Sequence, residues 1–219
     1  MKLLLIFLVL GVAHCTIQQE NQKGTATVPA WAREDVFGIY QDAWQSIKQD
    51  MGAIYYLVKA TYNQDDVWGT DFTCVTVTAT EVSEEQKTIE ATITFKNNAS
   101  STPQTSKETV TAVKMYDYKN KENAIEYKTH DDQPKTFRDS LVFTEEQSCD
   151  IFHVPYAKNT NGRQNGDYEL WVHESKVSSI PPCCLFLFEY LAENRERYTV
   201  YNDDCKATTA DVQQPGTQA

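Results

Sequence analysis

Carboxylates set beside aromatic rings are the residues of this sequence whose types and spacing could do chemistry. In YELWV, Glu169 and Trp171 stand two apart, as do Phe137 and Asp139 in FRDSLVF, and on a strand each pair shares one face. Glu108 lines up in the same way with Val110 and Ala112. Asp65 and Trp68 are three apart in the loop DDVWG, while Ser46 and Asp50 are four apart and either share a helical face or have Asp50 where helix gives way to strand. A carboxylate gives a charge-assisted hydrogen bond to an ammonium or imidazolium, and Trp, Tyr or Phe adds stacking and cation–π attraction. The combination suits a protonated amine that carries a flat ring. The competing reading is that these acids face solvent, the usual fate of Glu on a strand.

The elements that must position these residues are legible in the patterning. From Arg33 to Asp50, apolar residues recur at Val36, Tyr40, Trp44 and Ile47, a spacing that predicts a helix packing one face on a larger body. From Ala53 onward the signal changes to strand. AIYYLVKATY, FTCVTVTAT, TIEATITF, ETVTAVKMYDY, NAIEYKT, FRDSLVF, DIFHVPY and YELWV are eight short runs rich in Val, Ile, Thr, Tyr and Phe, separated by polar stretches. Eight strands in hairpin-like order predict an all-β, up-and-down antiparallel barrel, because closure removes exposed edges; a flat sandwich is the structural competitor. After Pro181-Pro182, CCLFLFEYLAENRER reads as a second helix packed outside the barrel.

The amino terminus has Lys2, the apolar run LLLIFLVLGVA, and Ala13-His14-Cys15, the pattern of a secretory leader over residues 1–15. Residues 16–30 read as a flexible arm, 31–205 as one barrel domain, and 206–219 as a frayed tail. The hydrophobic content of 41% and aromatic content of 11% are those of a globular chain, and the formal charge of -11 speaks against nucleic acid or an anionic membrane as partner. Once Cys15 is removed with the leader, Cys74, Cys149, Cys183, Cys184 and Cys205 remain, which predicts two bridges and one extra thiol in an oxidising compartment. Asn98-Ala99-Ser100 is a sequon in NNASSTPQTS, which reads as an exposed hairpin loop open to N-glycosylation.

An enzyme is not expected. The sequence has no HExxH, GxSxG, phosphate-binding glycine loop or CxxC; His130, His153 and His173 are scattered, and no cofactor or metal is implied. A lipid carrier would want a basic or wholly apolar cavity rather than an acidic one. A protein-binding immunomodulator acting through its outer surface stays open.

The segments QDAWQSIKQD, YYLVKATYNQDDVWGTDFTC, VTAVKMYDY, ENAIEY, CDIFHVP and YELW resemble the histamine-binding lipocalins of tick saliva from about Trp31 to Cys205. The resemblance implies a secreted lipocalin barrel that takes up host amines, histamine first and serotonin as an alternative, in two acidic sites, and so suppresses inflammation. It assigns Tyr62, Asp65, Trp68, Glu108 and Phe137 to one site, with Trp68 and Phe137 flanking the ring. Ser46, Asp50, Tyr127, Asp150, Glu169 and Trp171 fall largely to the other, although Tyr62, Tyr127 and Glu169 fit either. Ile125 departs from relatives that carry an aromatic there, which softens one wall. The resemblance also implies bridges Cys74–Cys205 and Cys149–Cys184; Cys183 is then the extra cysteine, either a buried free thiol or the site of an intermolecular disulfide that gives a covalent homodimer.

Overall fold

The computed structural model describes residues 28–156 and 166–206. The leader, most of the arm and nearly all of the tail read from the sequence lie outside them. The strands are β1 (Tyr55–Ala60), β2 (Gln64–Asp65), β3 (Gly69–Thr70), β4 (Thr73–Ser83), β5 (Thr88–Asn97), β6 (Ser100–Val113), β7 (Ala124–Thr129), β8 (Thr136–Glu145), β9 (Cys149–Val154), β10 (Asp167–His173) and β11 (Tyr198–Thr199). The α-helices are α1 (Glu34–Phe37), α2 (Ala43–Ile47) and α3 (Pro182–Ala192).

Strands β4 to β10 pair consecutively and antiparallel, β1 joins β4, and β1 also pairs with β10, so the sheet closes into an eight-stranded barrel. Strand β11 adds two residues beside β1, and β2 and β3 form a small separate hairpin. Alternation along each strand divides the buried residues into two clusters. Tyr55 and Leu57 of β1 join an interior cluster, whereas Tyr56 and Val58 join an outer one beneath α3.

A bulge between Leu57 and Lys59 breaks that alternation. Strict period two would aim Lys59 inward. Instead Ala60 is the next residue of the interior cluster, and Lys59 Nζ donates to Glu189 Oε1 of α3 at 2.7 Å on the outside. A second bulge, between Leu141 and Phe143 of β8, leaves Leu141 inside and Val142 outside and brings Thr144 into register with Asp150.

The stretch 33–50 is not one helix. It breaks at Gln41 and Asp42, where Asp42 Oδ1 accepts from Gln45 N at 3.1 Å and caps α2. Gln41 is fully buried; its Nε2 donates to Trp31 O and Val142 O, both at 2.8 Å, and its Oε1 accepts from the Tyr118 hydroxyl. Only the second half of the predicted apolar face is therefore used: Trp44 and Ile47 enter the interior cluster at one end of the barrel, while Val36 and Tyr40 are exposed.

The polar run after β5 is mostly strand rather than loop. Asn97 pairs with Ser100, so the turn holds only Asn98 and Ala99, and Asn98 is exposed at its tip. Pro103 is tolerated in β6 because the ladder to β7 begins only at Glu108, which leaves the first part of β6 an edge.

Helix α3 lies outside the barrel and buries Leu187, Phe188, Leu191 and Ala192 against Ile151, Leu170 and Val172 of the wall. Disulfides Cys149–Cys184 and Cys74–Cys205 fasten its start and the carboxy-terminal segment to the barrel. They are the two pairings implied by the resemblance. Cys183 belongs to neither and is half-buried in the first turn of α3.

Candidate functional site

Alternation inside a closed barrel turns Glu108, Asp139, Asp150 and Glu169 inward, and all four are buried. Asp50 is also buried, in the short 3-10 turn Lys48–Asp50 that follows α2, and Asp65 is half-buried at the β2–β3 hairpin. No Lys or Arg is buried among the described residues. Carboxylates removed from water without a basic partner hold protons more tightly or await a cation.

The acids form two groups. Ser46, Asp50 and Asp150 lie at the end of the barrel occupied by α2. Burial, and then the Asp150 charge, raises the Asp50 carboxyl well above the ordinary range. Burial pushes Asp150 up to about 6, and the hydroxyls of Thr144 and Ser46 pull it back. Trp44 lies over this end, its Nε1 donating to Glu84 Oε2 at 3.0 Å.

The larger group contains Tyr62, Asp65, Trp68, Glu108, Tyr127, Phe137 and Glu169. Glu169 accepts from the Tyr62 hydroxyl and, at 2.8 Å, from Trp171 Nε1. Burial pushes it up to about 7, these two hydrogen bonds oppose the shift, and the Asp65 charge adds to it. Of the residues that fit either site by resemblance, Tyr62, Tyr127 and Glu169 all lie in this group. Trp171 stands between the groups, since its backbone pairs with Asp150 while its ring lies 6.1 Å from that of Trp68. Glu108 is pushed up to about 7, by burial first, with Ser106 opposing and the Asp65 and Glu169 charges reinforcing.

Two aromatic walls face this group. Trp68 packs edge-on to Phe72 at 5.2 Å on one side. On the other, Phe137 stacks on Tyr127 at 5.2 Å and meets Tyr156 at 4.9 Å. The loop carrying Trp68 is folded by Asp65, whose Oδ1 accepts from Val67 N at 2.6 Å and Trp68 N at 2.8 Å. These bonds offset part of the burial that raises the Asp65 carboxyl. Gly69 follows with φ +82, and a Cβ there would come 2.9 Å from Asn97 Nδ2, the group that donates to Trp68 O at 2.7 Å. Only glycine lets Asn97 hold Trp68 so closely.

Two residues absent from the ligand set implied by resemblance also face this group. Asp139, whose spacing from Phe137 already marked a shared face, is buried with its carboxyl well above the ordinary range through burial and the Glu169 charge. Tyr156 exchanges a hydrogen bond with the Tyr127 hydroxyl. It follows Pro155 beyond the end of β9, where period two no longer predicts direction. His153 lies on the outer side of the wall, its ring 5.4 Å from Trp31 and 5.2 Å from Tyr168, and His173 packs edge-on to Tyr55 at 5.2 Å.

The chain is 43% identical over 213 residues to the male-specific histamine-binding salivary protein of Rhipicephalus appendiculatus, covering 96% of this chain and 99% of that one. It is 41% identical over 180 residues to the female-specific histamine-binding protein 1 of the same tick, covering 82% and 90%. Among solved structures, the fold is shared with the AM182 serotonin complex, at TM-score 0.52 and 23% identity over 75% of this chain and 92% of that chain. It is shared also with insecticyanin from the tobacco hornworm Manduca sexta, at TM-score 0.53 and 7% identity over 73% and 82%. The family described as tick histamine binding protein matches residues 31–207. With an eight-stranded lipocalin barrel around a buried acidic and aromatic interior, the chain belongs to the tick histamine-binding protein family.

Proposed function

We propose that this chain is a secreted salivary scavenger of host amines, histamine first, which it holds inside the barrel without chemical change and so withholds from inflammatory signalling. The observation that carries the reading is the set of buried interior carboxylates with no buried Lys or Arg among the described residues to neutralise them, walled by aromatic rings. The names of the two tick relatives support the choice of amine.

Two sites are proposed. Tyr62, Asp65, Trp68, Glu108, Tyr127, Phe137 and Glu169 form the larger, with the ligand ring between Trp68 and Phe137. Ser46, Asp50 and Asp150 form the smaller, with Trp171 as the partition between them. In the unliganded barrel the acids relieve their mutual repulsion by retaining protons. An entering ammonium or imidazolium replaces those protons, and each charge-assisted hydrogen bond is worth about 1.5–3 kcal/mol.

Titration calorimetry with histamine on the wild type beside Asp50→Arg and Asp65→Ala tests this. Two equivalents are expected for the wild type and one for each variant. Stoichiometry unaltered in both variants would sink the two-site assignment, and absence of histamine binding by the wild type would sink the function. Serotonin in the same titration ranks the two amines.

A further inference from the structure

The end of the barrel away from α2 is crossed by a lysine side chain. Consecutive antiparallel strands place the β1–β4 connection, which carries the β2–β3 hairpin, and the β7–β8 connection at this same end. Around the closed sheet the two connections are separated by β4, β5, β6 and β7 in one direction and by β1, β10, β9 and β8 in the other. They therefore face each other across the full width of the opening. Lys135 Nζ nevertheless donates to Asp66 O at 2.8 Å.

Both ends of this contact are anchored. Thr129 is buried and pairs with Glu108 of β6 on one side; on the other, its N donates to Lys135 O at 3.0 Å and its Oγ1 accepts from Lys135 N at 2.9 Å. Residues paired directly across an antiparallel ladder share a face, so Lys135 continues the inward row of Glu108 and Thr129 to the rim. Pro134 stiffens the chain just before it. On the far side, Asp66 belongs to the loop whose next two N–H groups are held by Asp65 Oδ1 and whose Trp68 carbonyl is held by Asn97. The backbone is fixed at each end, and the exposed lysine stem is the part that can swing. Lys135 stands two residues before Phe137 and Asp66 two before Trp68, so the bond lies over the gap between the two aromatic walls.

Resting on the amine-binding reading above, we propose that Lys135 gates the larger site: its bond to Asp66 O closes the mouth, breaks to let the amine in or out, and re-forms over the bound ligand. The opposite end is occupied by Trp44 and Ile47 of α2. A hydrogen bond that water can replace is weak enough to break at each passage and directional enough to hold the loops together between passages. Because it joins two protein groups, it forms with and without ligand, and it slows entry and escape alike without setting the affinity. The lysine charge has a separate effect, repelling a cation on approach, and that effect is screened by salt. Lys135 is thus a positioning residue that controls access, not a ligand contact.

Stopped-flow fluorescence with histamine compares wild type with Lys135→Met, which keeps the stem and loses the donor, in about 0.5 M salt, where charge effects are confined to about 4 Å. Association and dissociation should both be faster in the variant by roughly fivefold to twentyfold, with Kd changing by less than about threefold. Hydrogen exchange on the unliganded proteins should show the amides of Val67 and Trp68 losing protection by about tenfold in the variant, with those of β9 unchanged. Unchanged rates overturn the proposal. So does faster dissociation with a matching loss of affinity, which makes Lys135 a ligand contact, and so does faster association alone, which makes it a charge and nothing more. Should Lys135→Met fail to fold, Lys135→Gln, shorter and uncharged, is read by the same rates. Wild-type protein that binds no histamine defeats the amine reading; the gate is then judged on hydrogen exchange, where unchanged protection in the variant overturns it.

Discussion

Asp167 and Asp139 are both buried aspartates of the barrel wall, Asp167 at the start of β10, where it pairs with Val154, and Asp139 within β8. Asp167 is served from the protein: Thr61 Oγ1 donates to its Oδ1 at 2.7 Å, and Arg195 Nε lies 3.8 Å from the same oxygen. Asp139 faces the interior, where no Lys or Arg is buried among the described residues and one of its oxygens lacks a donor. The outer cluster is organised for stability, with apolar packing and two disulfides. The inner one gives up stability to keep acceptors open. The bulge at Lys59 belongs to the same division, since it turns a cation of β1 away from the acids and onto α3.

The contrast can be broken at either side. Phe188→Ala, in the outer cluster, removes a fully buried ring and should lower stability by about 3–5 kcal/mol in urea denaturation. A loss below about 1 kcal/mol would show that α3 is not part of the stabilising core.

The interior should show itself through pH. Asp150 sits at about 6, and Glu108 and Glu169 at about 7, above the carboxylate range of the unfolded chain. Between about pH 4.5 and 7 the folded protein therefore binds more protons than the unfolded one, so their contribution to stability is present in acid and is lost as pH rises through 6 to 7. The unliganded protein should be more stable at pH 5 than at pH 7.5, by on the order of 5 kcal/mol in urea denaturation, and Glu108→Gln should flatten the profile near neutrality. Histamine binding should run the other way, weakening as the acids take up protons. A calorimetric affinity that is level from neutral pH to pH 4 contradicts the account.

Removing charge from a compensated acid and from an uncompensated one should have opposite signs. Asp167→Asn weakens the attraction to Arg195 and should cost about 1–3 kcal/mol in thermal or urea melts. Asp50→Asn, inside, should leave the unliganded protein unchanged or stabilise it by up to about 1 kcal/mol while abolishing one calorimetric equivalent of amine. If both variants lose stability equally, the contrast between compensated and uncompensated acids is wrong.

Much of the barrel is readable from the chain because period two survives in eight runs, and the same period put Glu169 with Trp171 and Phe137 with Asp139. Elements that deviate from a simple period were harder. The 33–50 stretch carries helical spacing throughout, but the buried side chain of Gln41 and the cap at Asp42 divide it. The start of β6 looks like a loop because it is polar and contains Pro103, features that an edge segment tolerates. Asp139 was visible as a residue sharing a face with Phe137, yet nothing in its neighbours distinguishes an acid inside a barrel from an acid in water.

The sequence by itself determined that acids and aromatics share strand faces, because side-chain direction along a strand is a local property of the backbone. Which face is interior, which acids meet, and which of them keep an acceptor open were decided by the tertiary structure alone. Closure of β1 onto β10 makes one face an inside, the bulges at Lys59 and Leu141 choose what enters it, and the Asp65 loop brings Trp68 to acids forty or more residues away along the chain. Those contacts are set by how distant segments pack, and no local pattern encodes them.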